Sequence, residues 1–200
     1  KGEKMKKILL IIALPFCMLL GQDEGQLPGW GVYVGGGMVG ASGDSLTGDG
    51  VTVSSVLALP NIGVSKGVML GGMPLMVGVG IHQRGYNLEV QDFLESSATI
   101  NFVDVWAMMP YPVGPGTVNV GFLAGTFVSG KTNTKITFMG QTAEEEADIE
   151  SDAFDLDYGI MAGYALPLGP VAVNMGYSYG LADHSGVSFN GLFFNVGYSF

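Results

Sequence analysis

The stretch Gly191-Leu-Phe-Phe-Asn-Val-Gly-Tyr-Ser-Phe200 has two faces. Leu192, Phe194, Val196, Tyr198 and Phe200 form one set, all apolar or aromatic, and Gly191, Phe193, Asn195, Gly197 and Ser199 form the other, mostly small or polar. A two-residue period is that of a β-strand with unlike sides. An apolar side this continuous needs a cover, either lipid or a second sheet. Lipid implies a transmembrane barrel; a second sheet implies a soluble sandwich. The rest of the chain separates the two.

The same alternation recurs upstream. In Ala153 to Leu166, the residues Phe154, Leu156, Tyr158, Ile160, Ala162, Tyr164 and Leu166 alternate with Asp155, Asp157, Gly159, Met161, Gly163 and Ala165. In Val171 to Ala182, Val171, Val173, Met175, Tyr177 and Tyr179 alternate with Ala172, Asn174, Gly176, Ser178 and Gly180. The bulky sets cannot all fit inside a narrow barrel, whereas the small and polar sets can. Bulky residues therefore face lipid and small or polar ones face the lumen. A soluble lipocalin-type barrel would invert that arrangement.

Read in order, the chain gives eight strands. They cover Trp30 to Gly40, Asn61 to Leu70, Leu75 to Val90, Ser97 to Tyr111, Thr117 to Gly130, Ala153 to Leu166, Val171 to Ala182 and Phe189 to Phe200. Gly71 to Pro74, Pro112 to Gly116 and Pro167 to Pro170 are tight turns, all on the side of both termini. Ala41 to Pro60, Gln91 to Ser96, Lys131 to Asp152 and Asp183 to Ser188 are the polar connections of the other side, although Val51 to Leu59 could extend a strand. Short turns at one end and longer loops at the other are the pattern of an outer-membrane barrel. The expected fold is thus all-β: an eight-stranded antiparallel up-and-down transmembrane β-barrel with a packed lumen. Trp30, Tyr111, Tyr164, Tyr198 and Phe200 would form its periplasmic aromatic girdle. Lys66 breaks the pattern, since it shares the lipid-facing parity of Ile62, Val64 and Val68. A bulge or a misplaced boundary is expected there.

Composition agrees. The 200 residues are 48% hydrophobic and 13% charged, with 33 glycines, so the chain is too apolar and too weakly charged to be disordered. No apolar run after residue 21 reaches the ~20 residues of a membrane helix. Residues 1–21 read as a signal peptide with four residues ahead of Met5, and residues 22–200 as the barrel domain. Met5-Lys-Lys supplies the basic start and Ile8 to Leu20 the apolar stretch. Cys17 is the one cysteine. Phe16 stands before it where a lipoprotein signal places a small residue, so cleavage near Gly21 is favoured over lipid attachment. The remaining chain carries four positive residues (Lys66, Arg84, Lys131, Lys135) against 17 acids, a difference of −13. Nucleic acid is excluded as a partner for want of a basic face.

Several segments resemble the PorT-like outer-membrane β-barrel family, of the small OmpA/OmpX type. They are Ile81-His-Gln-Arg-Gly85, Phe102-Val-Asp-Val-Trp106, Pro112-Val-Gly-Pro-Gly116, Gly121-Phe-Leu-Ala-Gly125, Asp157-Tyr-Gly159, Leu166-Pro-Leu-Gly-Pro170 and Tyr177-Ser-Tyr-Gly-Leu181. The family often has Glu and Pro where this chain has Asp104 and Trp106. The resemblance implies residence in the bacterial outer membrane, insertion by the barrel assembly machinery and, for some members, a part in protein secretion. The aromatic carboxy-terminus, with Phe194, Val196 and Tyr198 behind it, is similar to the terminal assembly strand of such barrels.

Candidate chemistry is sparse. Arg84 points inward with His82 and Tyr86. If the third and fourth strands pair about Leu94, Arg84 falls opposite Asp104, while Asp155 and Asp157 enter from the sixth strand. Arg84, Asp104, Asp155, Asp157 and His82 form a candidate lumen polar cluster, read as an internal salt-bridge plug. Asp183-His184-Ser185 contains triad residue types, but three adjacent residues do not converge, and a solvated loop is the favoured reading. Glu144 to Asp152 lacks the glycine and alternating oxygens of an EF-hand, so no metal or other cofactor is implied. The functional expectation is a non-enzymatic structural or interaction role in the envelope, with outer-membrane lipid and an envelope or secretion complex as the expected partners. The alternatives are an outer-membrane enzyme acting on lipid or peptide at the rim, or a narrow transport pore.

Overall fold

A computed structural model describes residues 29–91, 93–150 and 154–200. The expected signal segment and Cys17 lie outside them. Ten strands are present among the described residues: β1 (Trp30–Ser42), β2 (Val51–Ser54), β3 (Val56–Leu70), β4 (Met73–Val90), β5 (Leu94–Val113), β6 (Gly116–Phe138), β7 (Gln141–Asp148), β8 (Asp157–Leu168), β9 (Val171–Gly180) and β10 (Ser188–Ser199). Eight of them close a ring. The antiparallel order is β1-β3-β4-β5-β6-β8-β9-β10, and β10 pairs back onto β1 from Gly31↔Ser199 to Ser42↔Ser188. Closure satisfies every ladder without an edge, which is what lets strands stand in hydrocarbon.

The terminal strand seals this ring. The Phe200 N–H donates to the Trp30 carbonyl at 2.8 Å, and the Tyr198 and Phe200 rings stack at 6.3 Å. Deleting Phe200 removes that bond and half of the stacked pair. Less of the truncated protein should reach the outer membrane, which immunoblotting of fractionated envelopes would measure. A normal level would show that the terminal ring is dispensable for assembly.

The faces follow the alternation. Val32, Val34, Val120, Phe122, Ile160, Met175, Leu192 and Phe194 are exposed on the outside. Tyr33, Asp104, Asp157 and Met161 are buried on the inside. The apolar band has visible limits. Gln83, Asn101 and Ser129 form a hydrogen-bonded row on the outer face, Gln83 Nε2 to Asn101 Oδ1 at 3.2 Å and Asn101 Nδ2 to Ser129 Oγ at 3.1 Å. From Asn101 down to Tyr111 is a span of ~10 residues, the length a tilted strand needs to cross hydrocarbon. Tyr111 and Tyr164 flank Val118 in one register row at the lower limit.

Lys66 sits at that lower limit too. The pairing of β3 is regular from Asn61 to Leu70, so no bulge turns Lys66 inward. The irregularity in this ladder lies earlier, at Gly36 opposite Leu59 and Pro60. Lys66 keeps the outer parity, is 4% exposed, and holds its ammonium 5.2 Å from the centre of the Trp30 ring. A cation–π contact at a membrane boundary accommodates the charge.

The longer connections differ from expectation. The described part of the expected Lys131 to Asp152 loop is largely strand, because β6 runs on to Phe138 and returns as β7, ending at Asp148, through Met139-Gly140. Alternation in Thr132, Thr134 and Ile136 is masked by the polar composition of the stretch. Gln91 to Phe93 is the whole β4–β5 connection, since Leu94 already pairs with Val90. The Ala41 to Pro60 connection contains β2 and the start of β3. The described part of the sixth expected strand starts its ladder at Asp157. As a result β2, β4, β5, β6 and β7 continue beyond the membrane as a sheet. An extra residue in β6, Val128, lies between Ser129↔Asn101 and Phe127↔Phe102 and reverses the parity above it. Lys131 and Lys135 thereby face outward, paired with Glu146 and, at 3.2 Å, Glu95. The Glu146 carboxylate holds the exposed Lys131 ammonium above its usual range.

Candidate functional site: the lumen

One level of the lumen is built from a single register row. Tyr33 pairs with Gly63, Gly63 with Gly80, Gly80 with Asp104, Asp104 with Gly125, and Gly125 with Asp157. Three polar or aromatic side chains are thus spaced by three glycines round six strands. The glycines are required by space. A Cβ on Gly63 or Gly80 would lie 2.4 or 2.3 Å from the Tyr33 hydroxyl, and one on Gly125 would lie 1.8 Å from Asp104 Oδ1. Larger residues at these three places would evict the groups that the row presents.

Arg84 binds this row together. Its Nη2 donates to both Asp104 oxygens, at 3.1 and 3.0 Å, and its Nε lies 2.6 Å from Asp157 Oδ2. Its guanidinium carbon stands 4.4 Å from the centre of the Phe102 ring. The chain of contacts continues both ways. Asp104 Oδ2 meets His82 Nδ1 at 2.7 Å, His82 Nε2 meets the Tyr33 hydroxyl at 2.9 Å, and Trp106 Nε1 donates to that hydroxyl at 3.1 Å. On the other side His184 Nε2 lies 3.2 Å from Asp157 Oδ1. Seven side chains from four strands and one loop form one network. Each charged group in it is buried and faces an opposite charge or a hydrogen-bond partner, as burial demands.

Of the sequence candidates, Arg84, Asp104, Asp157 and His82 come together here. Asp155 does not. It is exposed, ahead of the first residue of β8, and the alternation that placed it inward begins only at Asp157. The expected strand register is also corrected: Arg84 pairs with Ile100 and Asp104 with Gly80, because the connection is short. The two side chains meet because the arginine reaches along the strand over Phe102. His184 is a further correction. The Asp183-His184-Ser185 segment does not stay wholly in solvent; His184 is buried in the lumen, while the Asp183 carboxylate accepts from the Gly186 N–H. Tyr33 and Trp106 were missed as members. Their aromatic type on mixed-parity strands gave a signal, but their convergence depends on ring closure.

Above the row, the outer half of the lumen is filled. Phe102, Phe127, Phe154 and Phe189 pack edge to face or stacked at 5.7–6.4 Å, with Ile100 and Ala98 buried beside them. Below the row it is not filled. A cavity of about 670 Å³ extends to the short turns at Pro74, Pro112 and Pro167. The expectation of a packed lumen therefore holds for the outer half only. Small inward residues such as Gly31, Ala165, Ala172 and Gly197 leave the inner half open. Among the described residues, no group of three or more His, Cys, Asp or Glu side chains is placed to hold a metal ion.

A closed ring of eight strands, with an apolar band about one hydrocarbon thickness tall and a charged, plugged interior, defines a transmembrane β-barrel of the bacterial outer membrane. Residues 9–200 match the family model described as outer membrane protein beta-barrel domain, and the chain belongs to that family. Among solved structures it is similar to Neisserial surface protein A, at 14% identity over 88% of this chain and 100% of that one, with a TM-score of 0.49. It is similar to the attachment invasion locus protein Ail of Yersinia pestis, at 14% identity over 86% and 99%, with a TM-score of 0.46. It is also similar to the outer membrane protease OmpT of Escherichia coli, at 6% identity over 90% and 100%, with a TM-score of 0.46. No curated protein matches the chain.

Proposed function

We propose that this barrel is a non-enzymatic surface interaction protein of the outer membrane, closed to transport, that presents the sheet above the membrane to a partner in the envelope or outside it. The observation that carries this reading is β7. Its eight residues are all exposed, it pairs only with β6 among the described strands, and Glu144, Glu145, Glu146 and Asp148 lie along it. An open ladder edge is a template for another chain, and acids on it select a cationic one. The PorT-like motifs at Ile81 to Gly85 and Phe102 to Trp106 support membership of an envelope or secretion complex. Insertion would run through the barrel assembly machinery.

A photo-crosslinker at Glu145 in intact cells should yield discrete adducts. One at Phe122 on the lipid face should not yield the same species. Loss of the Glu145 adducts when Lys135 to Glu144 is replaced by a two-residue turn would support the reading. Identical adducts from both positions would sink it. The filled outer lumen should also keep the protein in planar bilayers free of discrete conductance steps. Such steps would favour the pore, and turnover of phospholipid or peptide by the barrel in liposomes would favour an enzyme.

A further inference from the structure

The inner half of the lumen is kept open by where its aromatic rings lie. Trp106 lies over Gly78 of β4, where a Cβ would come within 2.2 Å of its Cζ2 and 2.4 Å of its Cε2. Its indole N–H is committed to the Tyr33 hydroxyl, so what it offers the cavity is ring surface. Phe193 does the same on β10. A Cβ on Gly176 would lie 2.5 Å from its Cζ and one on Gly163 3.2 Å, so this ring runs over β9 towards β8. β5 and β10 stand four strands apart either way round the ring of eight, on opposite walls. Trp106 is seven residues from the inner end of β5 at Val113, and Phe193 six from that of β10 at Ser199, so the two stand at about one height. An eight-stranded barrel is just wide enough for side chains to fill it. Two rings laid over glycines on opposite walls leave the middle open, and both line the cavity of about 670 Å³. The phenylalanines of the outer half show the other outcome, since they pack against one another and fill it.

Sulfur completes the wall. Met76, Met108 and Met161 form one row, because Met76 pairs with Met108, Met108 with Gly121, and Gly121 with Met161. Thioethers adapt their shape to what they meet and pack favourably against aromatic rings. The charges exclude an ionic ligand, since Arg84, Asp104, Asp157 and His82 are engaged with one another or with Tyr33. Asn119 and Asn174 line the cavity three residues from the inner ends of β6 and β9, so a small polar substituent is accommodated towards the mouth. That mouth lies at the short turns, on the periplasmic side. The volume falls within the ~300–1,000 Å³ of small-molecule sites. We infer that the lower lumen binds a small, uncharged, planar aromatic molecule, seated between the Trp106 and Phe193 rings and edged by the methionines. The filled outer half closes it above, so it is a pocket and not a path. The site is independent of the surface sheet and of any partner bound there.

Phenol and cyclohexanol are suitable probes, being alike in size and uncharged at neutral pH, with only the first planar and aromatic. The chain has two tryptophans, so Trp30→Phe leaves Trp106 as the reporter. In lipid nanodiscs, Trp106 emission of the folded Trp30→Phe barrel should change saturably with phenol. Cyclohexanol should bind roughly ten-fold more weakly, the loss expected when two ring–ring contacts are removed. Adding Phe193→Leu should weaken phenol several-fold and leave cyclohexanol unchanged. Should that protein not fold, Phe193→Met keeps the apolar volume without the ring and should give the same result. Phe194→Leu, the lipid-facing neighbour on the same strand, should alter neither affinity, which separates lumen binding from partition into lipid. No saturable response to phenol would overturn the inference, and so would unchanged phenol affinity in a folded Phe193 variant. Equal affinity for phenol and cyclohexanol would reduce the site to an apolar void without preference for an aromatic ring, and the assignment would fall.

Discussion

Arg84→Met lowers the unfolding free energy of the barrel by about 3–5 kcal/mol, the usual cost of breaking a buried ion pair from one side. The geometry places the guanidinium between two carboxylates, and all three groups are buried. Without it, Asp104 and Asp157 face the same dry space across Gly125 with no arginine to hold them. Arg84→Met with Asp104→Leu therefore recovers only part of the loss, since Asp157 is still stranded. Adding Asp157→Asn recovers most of the remainder, because an amide can still meet His184. Urea unfolding in lipid vesicles measures each step, and the cycle between Arg84 and Asp104 isolates their coupling. A coupling energy near zero would mean that the network is water-filled and does not hold the barrel together.

Phe122→Arg has the second large effect, about 2–4 kcal/mol near the bilayer midplane. Phe122 is 67% exposed in the middle of the apolar band, where it meets lipid tails. Asn174→Arg, on the inner face of β9, puts its guanidinium into the lower cavity and should cost much less. Reversible folding into vesicles compares the two. Equal costs would contradict the assignment of inside and outside, and with it the membrane itself.

The two predictions rest on different kinds of information. The second was legible in the sequence. Alternation of Phe194, Val196 and Tyr198 with Asn195 and Gly197 fixes which side of a strand meets lipid, because a side chain's face depends only on its position along its own strand. The eight strands of the ring and the position of the short turns follow from that period and from the Gly- and Pro-containing turns at Gly71, Gly114 and Gly169, which adopt positive φ in the structure. Arg84 as an inward cation was legible for the same reason.

The partners of Arg84 were not. Which residues share a level depends on register, and register depends on turn length and bulges. The polar stretch Gln91 to Ser96 gave no sign that only three residues turn, and a shift there moved Asp104 from opposite Arg84 to opposite Gly80. The bulge at Val128 reversed the faces of Lys131 and Lys135, and no residue type announces it. His184 enters the lumen from a loop with no period to read. The row of Tyr33, Asp104 and Asp157 spaced by Gly63, Gly80 and Gly125 exists only once the ring has closed. Sequence alone determined a membrane barrel with a charged interior. Tertiary structure decided that the charges form one network, that the outer lumen is filled by phenylalanines, and that the inner lumen is a cavity, because each depends on side chains from strands distant in the chain arriving at one height.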